Sequence, residues 1–271
     1  MKADLHVHSH YSDGSSSVEE LMELAAKNSI THLSLVDHDT TDGIQAAQIA
    51  GAKHGITIVP GIEISAYDFT RNRKVHILGY QFDEQATHIR ELCQPLLTRR
   101  HENSLWQIEQ LQKNDYDIRL EDVAQKARMS GVIYKQHIMH SLLDHHFMSP
   151  LYQELYRTLF KGNGICSRDI EYVDAVAAVK AIKADNGYAV LAHPGQLDSY
   201  DLIPELVANG LDGIERNHFD HSQEDKQKVD RYANEFGLFQ TGGSDFHGEY
   251  GKPIMMGDLV SPTEFLEAVF T

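Results

Sequence analysis

The 271-residue sequence predicts an α/β fold: repeated strand–helix units forming a parallel sheet, for which a closed barrel is one way to bury both faces, with a helical subdomain inserted midway. Three observations carry this prediction. Strand-like and helix-like segments alternate over residues 3–80 and again over 175–242. Between them, residues 84–164 are helical in pattern, which divides the chain into an α/β domain (1–83 plus 165–271) and an inserted helical subdomain (84–164). Histidines and carboxylates recur at the ends of predicted strands, and repeated β/α units keep their working residues at strand carboxyl ends.

The opening run Ala3-Asp4-Leu5-His6-Val7-His8 alternates as a strand does, and a period of two puts His6 and His8 on one side. Ser17-x-x-Glu20 fits a capping box, followed by Val18, Leu21, Met22 and Ala25 at helical spacing. Residues 31–36 form a strand ending in Asp37-His38-Asp39, and either aspartate is a candidate to orient an imidazole. A helix over 42–53 and strands over 56–59, 62–65 and 74–80 follow; Glu63 sits in an otherwise apolar strand and His76 on the last. In the insert, Leu92, Leu96, Leu105, Ile108 and Leu111 predict one long, interrupted helix, with shorter helices near 120–129, 135–144 and 151–160. Alternation resumes with a helix over 175–185, a buried strand over 188–192 ending at His193-Pro194-Gly195, and a helix over 202–208. Short strands at 213–215 and 238–242 bracket a polar helix over 222–236; the second leads to Gly243-Ser244-Asp245-Phe246-His247-Gly248, and a short helix starts near Pro262.

Composition narrows the function. With 41% hydrophobic and 24% charged residues the chain reads as a soluble globular protein, and no apolar run is long enough to cross a bilayer. The N-terminus has no signal-peptide pattern, so a cytoplasmic location is expected. Cys93 and Cys166 form no CxxC motif, which argues against a disulfide framework or thiolate metal site. A formal net charge of −16 argues against broad binding to duplex nucleic acid. It leaves open a small phosphorylated substrate, because bound cations reverse the local field.

The candidate metal ligands are His6, His8, Asp13, His38, Glu63, His76, His193, Asp245 and His247. Nitrogen and carboxylate donors without sulfur suit Zn, Mn or Fe(II). An ionised Glu63 in an apolar strand needs a positive partner, and bridging two cations would supply one.

The segments DLHVHSHYSDG, VDHD, GIEIS, HILGY, AHPG and GSDFHG, in this order, resemble the PHP (polymerase and histidinol phosphatase) family of metal-dependent phosphoesterases, over residues 2 to about 248. The resemblance implies a distorted (β/α)7 TIM-like barrel with two or three divalent ions, three in a complete site. It implies that His6, His8, Glu63 and Asp245 hold one metal, Asp13, His38 and His247 a second, and Glu63, His76 and His193 the third. Water bridging two cations would then attack phosphorus, with Glu63 and Asp245 at the reacting centre. His218, in a segment resembling one at the family's barrel mouth, is the candidate acid.

The activity so expected is hydrolysis of a small phosphorylated metabolite, a phosphomonoester or cyclic phosphodiester of a nucleotide or sugar. The alternative is an exonuclease acting on short RNA or DNA ends, for which Trp106, Tyr116, Tyr134, Tyr152 and Tyr156 would supply stackable rings. The small-nucleotide phosphatases of the group resemble one another in an Arg-Pro-His stretch, where this chain has Lys135-Gln136-His137. Lysine keeps the charge but loses the bidentate fork. Lys135, His137, Lys161 and Arg168 are the candidates for holding a second phosphate or an oxyanion.

Overall fold

The computed structural model describes residues 1–270. In chain order the elements are β1 (Ala3–Val7), α1 (Val18–Lys27), β2 (His32–Leu35), α2 (Ile44–His54), β3 (Thr57–Ile58), β4 (Gly61–Asp68) and β5 (Arg73–Tyr80). The insert contributes α3 (Thr87–Lys113), α4 (Leu120–Lys126), α5 (Lys135–Leu142) and α6 (Pro150–Phe160). The chain then returns through β6 (Val173–Asp174), α7 (Ala175–Ala184), β7 (Tyr188–Leu191), α8 (Pro194–Leu197), α9 (Ile203–Val207), β8 (Gly213–Asn217), α10 (Gln223–Phe236), β9 (Phe239–Gly242) and α11 (Glu264–Phe270).

The strands lie in the orders β1-β2-β3 and β6-β4-β5-β7-β8-β9. Two seams join these sheets into a ring. Val7 bridges Phe246, with the His8 N–H donating to the Phe246 carbonyl at 2.9 Å. His38 bridges Glu63, with the Asp39 N–H donating to the Glu63 carbonyl at 2.9 Å. Both seams run through candidate ligands, so closing the barrel and assembling the site are one event. The result is the distorted TIM-like barrel.

One expectation is corrected: the sheet is not wholly parallel. β5 runs antiparallel to both β4 and β7. Only residues 69–72 separate β4 from β5, too few for a crossover, so the pair is a hairpin. Asp68 fastens its turn by accepting the N–H groups of Thr70 and Arg71. Glu63 and His76 consequently do not sit at strand carboxyl ends; they lie inside this hairpin, Glu63 opposite Leu78 and His76 opposite Ser65.

The core has layers. Leu5, Leu78, Tyr80, Val190 and Phe265 fill one end of the barrel, where the Tyr80 hydroxyl donates to the Leu5 carbonyl at 2.8 Å. α1 and α2 pack on β1 and β2 through Leu21, Met22, Ala47 and Ala50. α3 was expected to be interrupted, yet it runs unbroken through Pro95. Ile89, Cys93 and Leu96, around that proline, are locked into the barrel's outer layer, which offsets the lost backbone bond. The far half of α3 belongs to a separate apolar cluster, in which Ile108, Leu111, Ile138, Tyr152 and Phe160 join α3, α5 and α6. Among the described residues, no helix is long and apolar enough to cross a membrane.

Candidate metal centre and substrate cavity

Glu63 is the centre of the arrangement. Its Oε2 lies 3.4 Å from His6 Nε2, 3.2 Å from His8 Nε2 and 3.3 Å from His38 Nδ1. Its Oε1 lies 2.9 Å from His76 Nδ1 and 3.0 Å from His193 Nε2. Asp245 Oδ1 is 3.3 Å from both His6 Nε2 and His8 Nε2. Asp13 Oδ1 faces His247 Nε2 at 3.4 Å and His8 Nδ1 at 3.7 Å. All nine sequence candidates are thus brought together. They form four overlapping groups of donor atoms that could each hold an ion: His8-Asp13-His38-His247, His6-Glu63-His193, His6-His8-Asp245 and His38-Glu63-His76.

The donors fit divalent cations on two counts. Ligands at 2.0–2.2 Å from a common ion stand roughly 3.0–3.5 Å apart, the spacing found here. In addition, His6 Nε2, both ring nitrogens of His8, His38 Nδ1 and His193 Nδ1 are buried without a hydrogen-bond partner. Buried polar atoms are nearly always satisfied, so this concentration of orphans marks a place where an ion completes the structure.

Neighbouring groups set the tautomers. Glu215, fully buried on β8, accepts from His6 Nδ1 at 2.8 Å and from the His193 N–H at 2.8 Å. That fixes the His6 proton on Nδ1 and leaves Nε2 free. His247 Nδ1 donates to the Asp245 carbonyl at 2.9 Å, which frees Nε2 in the same way. Burial depresses His8, but Asp245 and Glu63 outweigh it and raise the ring to about 10. Burial disfavours ionised Glu215 as well, but His6 overrides it and the carboxyl falls to about 2. The backbone adds strain at the site: Asp39, His193 and Asp245 hold positive φ angles of 62°, 24° and 51°.

The sequence reading missed Glu215 and Arg100. Glu215 carried a weaker signal than Glu63, since Arg216 and Asn217 follow it in a strand of five residues. Arg100 carried none. It reaches from α3 to donate to Asp39 Oδ2 at 2.6 Å and Ser65 Oγ at 2.9 Å. Asp39 therefore orients no imidazole, and neither does Asp37, which accepts from the Ser9 N–H and from the Ser9 and Ser12 hydroxyls. His218 is buried beside the cluster. Its Nδ1 accepts the Asp220 N–H at 3.2 Å, so the proton sits on Nε2, which faces Asp245 Oδ2 at 3.3 Å.

Above the cluster, between barrel mouth and insert, lies a cavity of about 450 Å³. Asp13, His38 and His76 form one side, and Lys74, Lys135, Lys161, Tyr156 and Tyr172 stand around the rest. Lys135 makes no hydrogen bond or ion pair among the described residues; burial, then the proximity of Lys74, lowers its pKa to about 8. Lys161 lies 5.5 Å above the Tyr156 ring. Lys74 is held by Asp169 at 2.6 Å and the Tyr172 hydroxyl at 2.9 Å. Two candidates are elsewhere. His137 is turned inward, its Nδ1 accepting the Tyr134 N–H at 3.1 Å. Arg168 stacks on Trp106 at 4.1 Å and donates to Asn103, which also takes Trp106 out of the set of free rings.

Cation-ready donors beneath a lysine-lined cavity are what cleavage of a phosphate ester requires, and the class so defined is a phosphoester hydrolase. Residues 4–261 match the PHP domain, and the chain belongs to that family. It is 50% identical over 252 residues to a phosphoribosyl 1,2-cyclic phosphate 1,2-diphosphodiesterase of Eggerthella lenta, covering 93% of this chain and 96% of the relative. It is 32% identical over 275 residues to a 5'-3' exoribonuclease of Haemophilus influenzae, covering 96% and 97%. Among solved structures, a protein of Bifidobacterium adolescentis described as a metal-dependent phosphoesterase superposes with a TM-score of 0.90 at 26% identity, covering 99% and 95%.

Proposed function

We propose that the chain hydrolyses a small phosphoester that carries a second phosphate, with a cyclic phosphodiester of a phosphorylated sugar as the best-fitting substrate. The observation that carries this reading is the cavity: its volume suits a small molecule, with cation donors on one side and lysines across from them. The 50% identical relative, named for a cyclic phosphate on a phosphoribosyl group, supports the same chemistry.

His6, His8, Asp13, His38, Glu63, His76, His193, Asp245 and His247 would hold the divalent ions, Mn, Zn or Fe. When bound, such ions supply Lewis-acid stabilisation of the phosphoryl charge and lower the pKa of water. The chain's own contributions are distinct. Lys135 and Lys161, with Lys74 beside them, hold the distal phosphate and fix the ester's orientation. Residues 84–164 roof the mouth and exclude water. His218 stands beside the cluster but in none of its donor groups, with its Nε2 proton on Asp245; it is the proposed proton donor to the leaving alcohol.

The test is phosphate release and 31P spectroscopy on a panel of ester classes: a five-membered cyclic phosphate of a phosphorylated pentose, the same sugar lacking its second phosphate, nucleotide monophosphates and short oligoribonucleotides. Turnover of the first, with a sharp loss on the second, is expected. Turnover of oligonucleotides alone would replace this reading with the exonuclease.

A further inference from the structure

α5 is tied to one corner of the donor cluster. Gln136 Nε2 donates to Asp13 Oδ2 at 2.7 Å. The Tyr134 hydroxyl, from the residue just before the helix, donates to the His38 carbonyl at 2.9 Å. His137 and His140 pack on the Tyr250 ring, at 5.9 and 4.4 Å, in the turn that follows His247. These contacts reach the segments of Asp13, His38 and His247, three of the four members of one donor group. The fourth, His8, lies between the rings of His38 and His247, at 4.7 and 4.1 Å. Among the described residues, α5 makes no hydrogen bond to Glu63, His193 or Asp245.

Asp13 is divided between the two bodies. One oxygen, Oδ1, faces His247 and His8; the other, Oδ2, takes the Gln136 amide. An N–H on one carboxylate oxygen sets the plane of the group and thereby aims the other oxygen. Gln136 is itself firmly presented. Ser104 Oγ donates to the Ile133 carbonyl at 2.6 Å, and Arg100 lies 5.0 Å over the Tyr134 ring while paired to Asp39.

We propose that Gln136 is a positioning residue that couples the docking of α5 to the cation held by His8, Asp13, His38 and His247. This corner binds its cation more tightly when α5 is docked, and α5 docks more firmly when the corner is filled. Linkage makes the two effects equal in magnitude. The donor groups without Asp13 take no hydrogen bond from Gln136. The inference rests on the proposed metal centre, and its test separates the two.

The full chain and its Gln136→Met and Gln136→Glu variants are titrated with Mn(II), followed by electron paramagnetic resonance and by hydrogen exchange of the α5 amides. Wild type comes first: if it binds no Mn(II), Zn(II) or Fe(II), the metal centre itself falls. Given binding, Gln136→Met weakens one class of site roughly ten-fold and leaves the others within about two-fold. Mn(II) raises α5 protection in wild type, and the variant loses that gain by a matching factor. Gln136→Glu sets a second carboxylate against Asp13; α5 then undocks without Mn(II) and docks again with it, a response that simple packing does not give. Equal weakening of every site, or α5 protection indifferent to Mn(II) in wild type, overturns the coupling. If Gln136→Met does not fold, the Mn(II) response of wild type and Gln136→Glu decides.

Discussion

Replacing Glu215 by glutamine should cripple cation binding while leaving the shape of the barrel almost unchanged. Both partners of this carboxylate are donors: the His6 Nδ1–H and the backbone N–H of His193, each at 2.8 Å. A carboxylate offers two acceptors and satisfies both; a carboxamide offers one acceptor and one donor. Glutamine can keep its oxygen on His193 and donate its NH2 to His6 Nδ1, but His6 must then carry its proton on Nε2. That is the atom facing Glu63 and Asp245, at 3.4 and 3.3 Å, and once protonated it cannot ligate. Otherwise glutamine keeps its oxygen on His6 and sets its NH2 against the His193 N–H, leaving a buried donor unpaired at a cost of about 1–3 kcal/mol.

Cation binding must force the second arrangement, so that cost comes out of the affinity. At 1.4 kcal/mol per factor of ten, the loss is about 5- to 150-fold for ions that need His6. Competition with a chelating dye measures it, and 15N chemical shifts of the His6 ring report the tautomer directly. Glu215→Gln binding Mn(II) with wild-type affinity while His6 keeps its Nδ1 proton would refute the reasoning. A loss of affinity without the tautomer change would point to loss of charge alone.

Two further outcomes follow from the cavity and the seam. The Lys135 ammonium is charged below about pH 8 and loses its proton as pH rises through that value; its pull on a distal phosphate is present at neutral pH and fades above it. Wild-type KM for a substrate with two phosphates should rise above pH 8, whereas Lys135→Met should raise KM about ten-fold or more at pH 7 and flatten that rise; parallel profiles for the two proteins would remove Lys135 from the subsite. Gly243→Ala would place a Cβ 2.4 Å from the backbone nitrogen of His6 and 2.7 Å from Asp4 Oδ1, where no flexible side-chain end can yield. It should destabilise the metal-free protein by roughly 1–3 kcal/mol, read as a lowered Tm, and an unchanged Tm would place the seam elsewhere.

What the sequence made legible were features that local periodicity encodes. His6 and His8 share a face because a strand repeats every two residues, and Glu63 stood out as an acid among aliphatic residues. What stayed hidden depended on direction or on distant partners. Arg168 and Lys135 read alike as cations for a second phosphate, yet one stacks on Trp106, 62 positions earlier in the chain, while the other stands unpaired in the cavity. His137 was counted with Lys135 as a substrate contact because Lys135-Gln136-His137 stands at the Arg-Pro-His stretch, but residues two apart on a helix point about 200° from each other, and Lys135 takes the cavity side. The hairpin of β4 and β5 was partly legible in the short spacing between them. Its effect on the sheet was not, because strand direction is fixed by the partner and not by the strand.

The acidic balance of the chain takes on a meaning once the charges are located. Two of the four basic side chains that line the cavity are already matched, Arg100 by Asp39 and Lys74 by Asp169. Lys135 and Lys161 make no ion pair among the described residues, and both line the cavity. A small dianion inside it feels those lysines and the cation centre at contact distance. The remaining charges behind the net −16 are largely screened beyond a Debye length of about 8 Å. The proposed small phosphoester would thus be held by where the chain leaves its few unpaired cations and not by how many it has.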